Sequence, residues 1–339
     1  MSHLSSIDAS ANGEPFLAAF EAGTTGDWSR VAQLLGAHPE LLRARGTNGN
    51  SLLNLAGALI PCVPPAAEPA GLRDLHAQTR LAPIQRLLDA GADVHLANVR
   101  GWTPLHQAGY RNDVALAELL LSAGARTDVS AHGDGGTPLV AALFWGHAEV
   151  AAVLAAHELT PRNLRVAAAL GHVDLAEQVL NNVEQHRAFY RPHSGFPYWK
   201  PKADRQEVLN EALAWAARSG ATAVMPLLIA NGAQIDADTY RGTPLTWAAW
   251  AGRVDTATWL LDHGADVNAH GTFGGLQHGA GVTAAHLAAQ NDRMDVLSLL
   301  VDRGADLSIT DQLYGGTPRG WAEHDGKMTA AEFLSSRGG

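Results

Sequence analysis

Along the chain, short alanine-rich apolar runs alternate with polar turns in a fixed order. Each run starts behind Thr-Pro or a near relative of it. The pair stands at Thr103-Pro104, Thr137-Pro138, Thr243-Pro244 and Thr317-Pro318, with Ser51-Leu52 and Thr283-Ala284 in the same place. A Thr hydroxyl there accepts from the orphan N–H groups of a first helical turn. Pro at the first helical position gives up an N–H that has no helical partner. The run then ends at a Gly, as at Gly146, Gly171, Gly220 and Gly252. A second segment follows with apolar residues at helical spacing, such as Val114, Leu116, Leu119 and Leu120. It closes on Gly-Ala-Asp or a variant, at Gly91, Gly124, Gly232, Gly264 and Gly304, where Gly supplies a left-handed helix end. The spacing is 33 residues from Gly91 to Gly124 and 32 from Gly232 to Gly264. The pattern predicts an all-α chain of repeated helix–turn–helix units. One unit cannot bury its apolar face alone, so the units stack.

The segment GWTPLHQAGYRNDVALAELLLSAGA from Gly101 resembles one whole ankyrin repeat, as do the segments from Arg241 and Gly281. The resemblance covers nearly the whole chain. The last unit, YGGTPRGWAEHDGK from Tyr314, resembles a terminal repeat of bacterial ankyrin proteins. The fold so implied is an ankyrin-repeat solenoid of about nine units with short finger turns. The units begin near Pro15, Asn48, Asn98, His132, Leu159, Glu207, Asp238, Gly281 and Tyr314. The chain reads as a single array over 1–339. Residues 15–45 form an N-terminal cap, with Phe16, Phe20, Val31 and Leu34 inward. Residues 314–339 form a C-terminal cap with a truncated second helix.

The period breaks in four places. Measured on the inner-helix glycines, with Asn112 and Asp292 in the glycine place, one turn near residue 160 is short by about eight residues. Extra chain is expected at 60–80, 182–205 and 272–280. The insertion 182–205 holds Phe189, Tyr190, Phe196, Tyr198 and Trp199 among His and Arg residues, too aromatic for a flexible linker. It reads either as a loop packed on its own array or as a lid over the groove.

In an ankyrin-like array the finger tips and the open side of the inner helices form a concave face. The two residues before the helix-ending Gly point there. On that basis the partner-binding candidates are Tyr110, Arg111, Phe144, Trp145, Arg218, Trp250, Gln290 and His324, with Tyr198 and Trp199 from the insertion. Clustered exposed aromatics mark interaction sites, and Trp and Tyr are frequent energetic anchors. One turn earlier stand Gln107, Trp215, Trp247 and Trp321, which read as packing between inner helices. Glu323 stands where its siblings carry Ala249 and Ala289, and His324 follows it directly. With His193 and His278 they are the candidates for acid–base chemistry.

Composition narrows the functions. The 339 residues carry a formal net charge of −10, which argues against a nucleic-acid partner. No apolar run is long enough to span a membrane, and the N-terminus lacks the form of a secretory signal, so the cytoplasm is the default compartment. One cysteine, Cys62, leaves no internal disulfide. His106 and His286 hold the Thr-Pro-Leu-His place, where the ring bonds to backbone or Thr rather than to a metal. No metal and no cofactor is expected. No nucleophile elbow or phosphate loop is present, so no motif commits the chain to catalysis. The function expected is a binding module that takes a protein or peptide on an aromatic-rich concave groove and fingers. The alternative is a small apolar ligand, bound or turned over by acid–base chemistry in a pocket closed by 182–205.

Overall fold

The computed structural model describes residues 13–46, 48–59, 70–131, 136–157, 163–181, 204–239, 242–272 and 281–338. Among these, the chain forms eighteen α-helices, and its only extended pairings are two isolated antiparallel bridges. The helices come as nine consecutive pairs, each an inner helix followed by an outer one. They are α1 (Gly13–Thr24) with α2 (Trp28–Ala37), α3 (Leu52–Leu59) with α4 (Ala70–Asp89), and α5 (Pro104–Arg111) with α6 (Val114–Ser122). Then come α7 (Pro138–Phe144) with α8 (Ala148–His157), α9 (Leu164–Ala169) with α10 (Val173–Val179), and α11 (Arg205–Ser219) with α12 (Met225–Ala230). The last are α13 (Pro244–Ala251) with α14 (Val254–Asp262), α15 (Ala284–Gln290) with α16 (Met294–Asp302), and α17 (Pro318–His324) with α18 (Met328–Ser336).

Contacts divide the chain into two compact units. The described residues up to 142, with 149–157, make the first; those from 163 onward, with 143–148, make the second. In the first, α3 packs between α1 and α5, and the outer helices α4 and α6 lie side by side. In the second, α9, α11, α13, α15 and α17 pack in sequence order. Their shared faces are mostly alanine, such as Ala168, Ala216, Ala249 and Ala288, all buried. Small side chains let the helix axes approach closely. Bulk comes from the outer helices through Leu228, Leu260 and Leu300.

The helix ends follow the local code. Thr103, Thr243 and Thr317 accept from N–H groups of His106, Thr246 and Gly320. Gly146, Gly171, Gly220 and Gly252 close the inner helices at φ 69°, 70°, 82° and 72°. The only other residues with positive φ outside glycine, among those described, are Asn112 and Asp292, at 54° and 53°. They stand where the period demands this conformation. Both histidines of the Thr-Pro-Leu-His place are fully buried. His286 Nδ1 accepts from the Thr283 N–H at 3.2 Å, and its Nε2–H donates to the Gly316 carbonyl at 3.0 Å. His106 repeats this with Thr103 and Gly136 at 3.1 and 3.0 Å.

The terminal YGGTPRGW motif also has a physical account. Asp311 accepts from the N–H groups of Leu313, Tyr314 and Gly316 and from the Trp321 indole, at 3.0, 2.7, 2.8 and 3.0 Å. Burial pushes its carboxyl up, but these four donors outweigh that and hold it below the ordinary range. Gly316 carries no side chain because a Cβ there would lie 2.8 Å from the Trp321 ring.

Residues 70–80 continue the outer helix, so α4 runs twenty residues with Pro83 inside it, against nine in α14 and α16. Arg80 explains part of its value, forming a two-pronged pair with Asp113 at 2.5 and 2.8 Å. The second helix of the C-terminal unit is not truncated. Helix α18 has nine residues, as do α14 and α16, and buries Ala330, Ala331 and Leu334. The N-terminal unit buries Phe16, Phe20 and Val31 as expected of a cap, while Leu34 is only half-buried.

Candidate functional site

The richest constellation lies in the second unit, where the last turn of α7 meets α11 and α13. Phe144 packs edge-on against Trp145, with ring centroids 5.2 Å apart, and against Trp215 at 5.6 Å. Trp145 leans on Trp250 at 6.1 Å, and Trp250 sets its edge to Trp247 at 5.7 Å. The Arg218 guanidinium carbon sits 3.5 Å above the Trp247 ring and 4.7 Å from that of Phe144. The contacts therefore close a ring: Phe144, Trp145, Trp250, Trp247, Arg218 and back to Phe144. Edge-to-face and cation–π geometries of this kind favour the observed packing beyond area burial alone.

Backbone contacts fix the ring from behind. Arg253, which follows the Gly252 helix end, donates from Nε to the Arg218 carbonyl at 3.2 Å and from a terminal nitrogen to the Gly146 carbonyl at 2.7 Å. Gly146 must be glycine for two reasons: its φ is 69°, and a Cβ would fall 2.7 Å from the Arg218 carbonyl oxygen. Arg293 repeats the Arg253 device one pair later, donating to the Trp250 carbonyl at 3.3 Å. Elsewhere in the second unit, Arg165 of α9 donates to the Glu211 carboxylate of α11, both almost wholly enclosed.

The predicted binding residues divide by exposure. Trp145, Trp250 and Gln290 are half-buried, Tyr110 is 43% exposed and His324 is exposed. Phe144 and Arg218 are not surface groups: each is 1% exposed. Arg218 is desolvated because its planar cation is sandwiched by rings, and Phe144 because Trp145, Trp215 and Arg218 cover it. Both support the open tryptophans from beneath. Trp215 and Trp247 are buried packing residues, as read from the sequence. In the first unit, Tyr110 meets Trp102 edge-on at 6.0 Å, and Arg111 donates to the Ala58 carbonyl.

Of the acid–base candidates, Glu323 and His324 lie among the described residues. Glu323 is half exposed and pairs with Arg319 one turn back at 2.8 Å. His324, 87% exposed at its side chain, contacts only its neighbour Asp325 among the ion pairs, at 2.9 Å. An open position gives no low-dielectric enclosure for proton transfer. His193, His278, Tyr198 and Trp199 lie outside the described residues, as does nearly all of the insertion 182–205. Among the described residues, no group of three or more His, Cys, Asp or Glu could hold a metal ion. No described helix is long and apolar enough to cross a membrane.

The buried anchors Trp247, Trp215 and Arg218 were legible as large residues at inner-helix positions, but their joint enclosure was not. Arg253 and Arg293 were missed altogether. Their signal was an Arg directly after the helix-ending residue.

Family models for ankyrin repeats match residues 76–163, 164–271 and 245–301. The chain belongs to the ankyrin repeat family. Among curated ankyrin proteins, it is 28% identical over 66% of its length to the ankyrin repeat and KH domain-containing protein mask-1 of Caenorhabditis elegans. It is 48% identical over 18% of its length to the human ankyrin repeat and SOCS box protein 16. It covers 8% and 14% of those two proteins. A match to protein PhlB of Serratia liquefaciens is 41% identical over 20% of this chain and 29% of that protein. The ankyrin repeats thus account for the paired helices and for the Thr-Pro and Gly signals.

Proposed function

We propose that this ankyrin array is a binding module for a protein segment or peptide, with Trp145 and Trp250 as its anchors. Ankyrin repeats generally mediate protein–protein interaction, and the relatives matched here are ankyrin-repeat proteins. The observation that carries the reading is the half-buried Trp145–Trp250 pair held on a buried base of Phe144, Trp247 and Arg218. Rings fixed in this way lose little side-chain entropy when a partner covers them. Gln290, half-buried on the following inner helix, offers an amide to the partner's backbone.

The test is selection of binders from a displayed random-peptide library, followed by titration of the winning peptide. Trp145→Ala and Trp250→Ala are each expected to weaken that peptide at least about tenfold, as truncated aromatic anchors do. Tyr314→Ser, at an exposed finger of the last unit, is expected to leave it unchanged. Circular dichroism melts check that each variant folds. Selected peptides that bind the folded double variant Trp145→Ala/Trp250→Ala as tightly as the parent would overturn the reading.

A further inference from the structure

A concavity lies in the first unit, far in sequence from the aromatic ring. Outer helices α4 and α6 pack side by side, whereas a cavity of about 310 Å³ opens between α2 and α4. Its walls include Trp28, Val31, Leu35, Leu42, Pro83 and Leu87. Two features keep it open. Gly36 faces it without a side chain, and a Cβ built there would meet nothing within 4 Å. Pro83 stands inside α4, where it removes a helical N–H and crowds the preceding turn.

One lining residue is charged. Arg86, in the last turn of α4, forms no side-chain hydrogen bond or ion pair among the described residues. The cavity thus combines an apolar wall with a single uncommitted cation at its edge. Its volume is at the lower limit of small-molecule sites. At roughly 30 Å³ per water it corresponds to about ten waters, and so to about ten non-hydrogen atoms.

We propose that the α2–α4 cavity binds a small amphiphilic carboxylate: an apolar chain or ring between the two helices, with the carboxylate on Arg86. The chain supplies the affinity through burial, and the Arg86 fork supplies the preference for an anionic head. This site is independent of the tryptophan anchors.

Octanoate, with ten non-hydrogen atoms, is the probe. Isothermal titration of the full chain at neutral pH is expected to show saturable binding of one octanoate per chain. Gly36→Leu fills the open space and favours the helix, so it is expected to abolish binding while the melting temperature is kept or raised. Arg86→Gln is expected to weaken octanoate about fivefold, the scale of an exposed charge pair, and to leave octan-1-ol unaffected. Three results overturn the proposal. One is no saturable binding by the parent chain. Another is binding undiminished by the folded Gly36→Leu variant, or equal affinity for octanol and octanoate. The third is a concentration-dependent dimer that Gly36→Leu dissolves, which makes the occupant a second copy.

Discussion

At the scale of single residues, conformation and protonation are set by a few atoms. Burial drives the His286 ring down from its ordinary value of 6.5 to about 4, against the Gly316 hydrogen bond and nearby Asp311, which favour the charged form. Protonation would also point a new N–H at the Thr283 N–H that Nδ1 now receives. The folded value lies below the unfolded one, so the unfolded chain binds more protons between them. Stability from this residue is present in full above about pH 6.5 and is lost as pH falls toward 4. The loss expected is about 3 kcal/mol. Urea unfolding at a series of pH values checks it, and His286→Gln should flatten that slope. The left-handed positions give a paired prediction. Gly146→Ala forces both a positive φ and a clash with the Arg218 carbonyl, and should cost at least about 2 kcal/mol. Asp292→Gly relieves a residue already at φ 53° and should cost nothing or stabilise by about 0.5 kcal/mol. Melting curves of the two variants decide it.

At the scale of helices, the sequence was legible wherever the cause was local. Thr caps, Pro starts and left-handed helix ends act within four or five residues, so Thr103, Gly220 and even Asn112 could be read without neighbours. The burial of Phe144 and Arg218 could not, because it depends on α7, α11 and α13 meeting across more than seventy residues. Extension of α4 back to Ala70 was not legible, because Pro61, Pro64, Pro65 and Pro69 mark 60–80 as extra chain without showing where a helix resumes. The ion pair between α9 and α11 tests how these helices are held. Arg165 and Glu211 are almost wholly out of water, at 1% and 3% side-chain exposure. Replacing either one alone with Met should cost about 3 kcal/mol, because the other charge stays enclosed and loses this partner. Replacing both with Met should recover most of that loss, since a desolvated pair contributes little net stability. A double-mutant cycle from chemical denaturation reads both values.

At the scale of the whole molecule, helix pairs within each compact unit pack on their sequence neighbours, as in any stacked array. The Arg253–Gly146 hydrogen bond departs from this, closing over 107 residues. That separation has a consequence for biosynthesis. Translation proceeds at about 5–20 residues per second, so Phe144 and Trp145 leave the ribosome several seconds to some tens of seconds before Arg253. During that interval the aromatic turn has been made but its cover, on α11 and α13, has not. The nascent chain therefore carries an exposed Phe-Trp pair through a long stretch of its own synthesis. Ribosome-bound chaperones that bind aromatic segments should crosslink to residues 143–148 on arrested chains ending before α13, and release them once α13 and Arg253 have emerged.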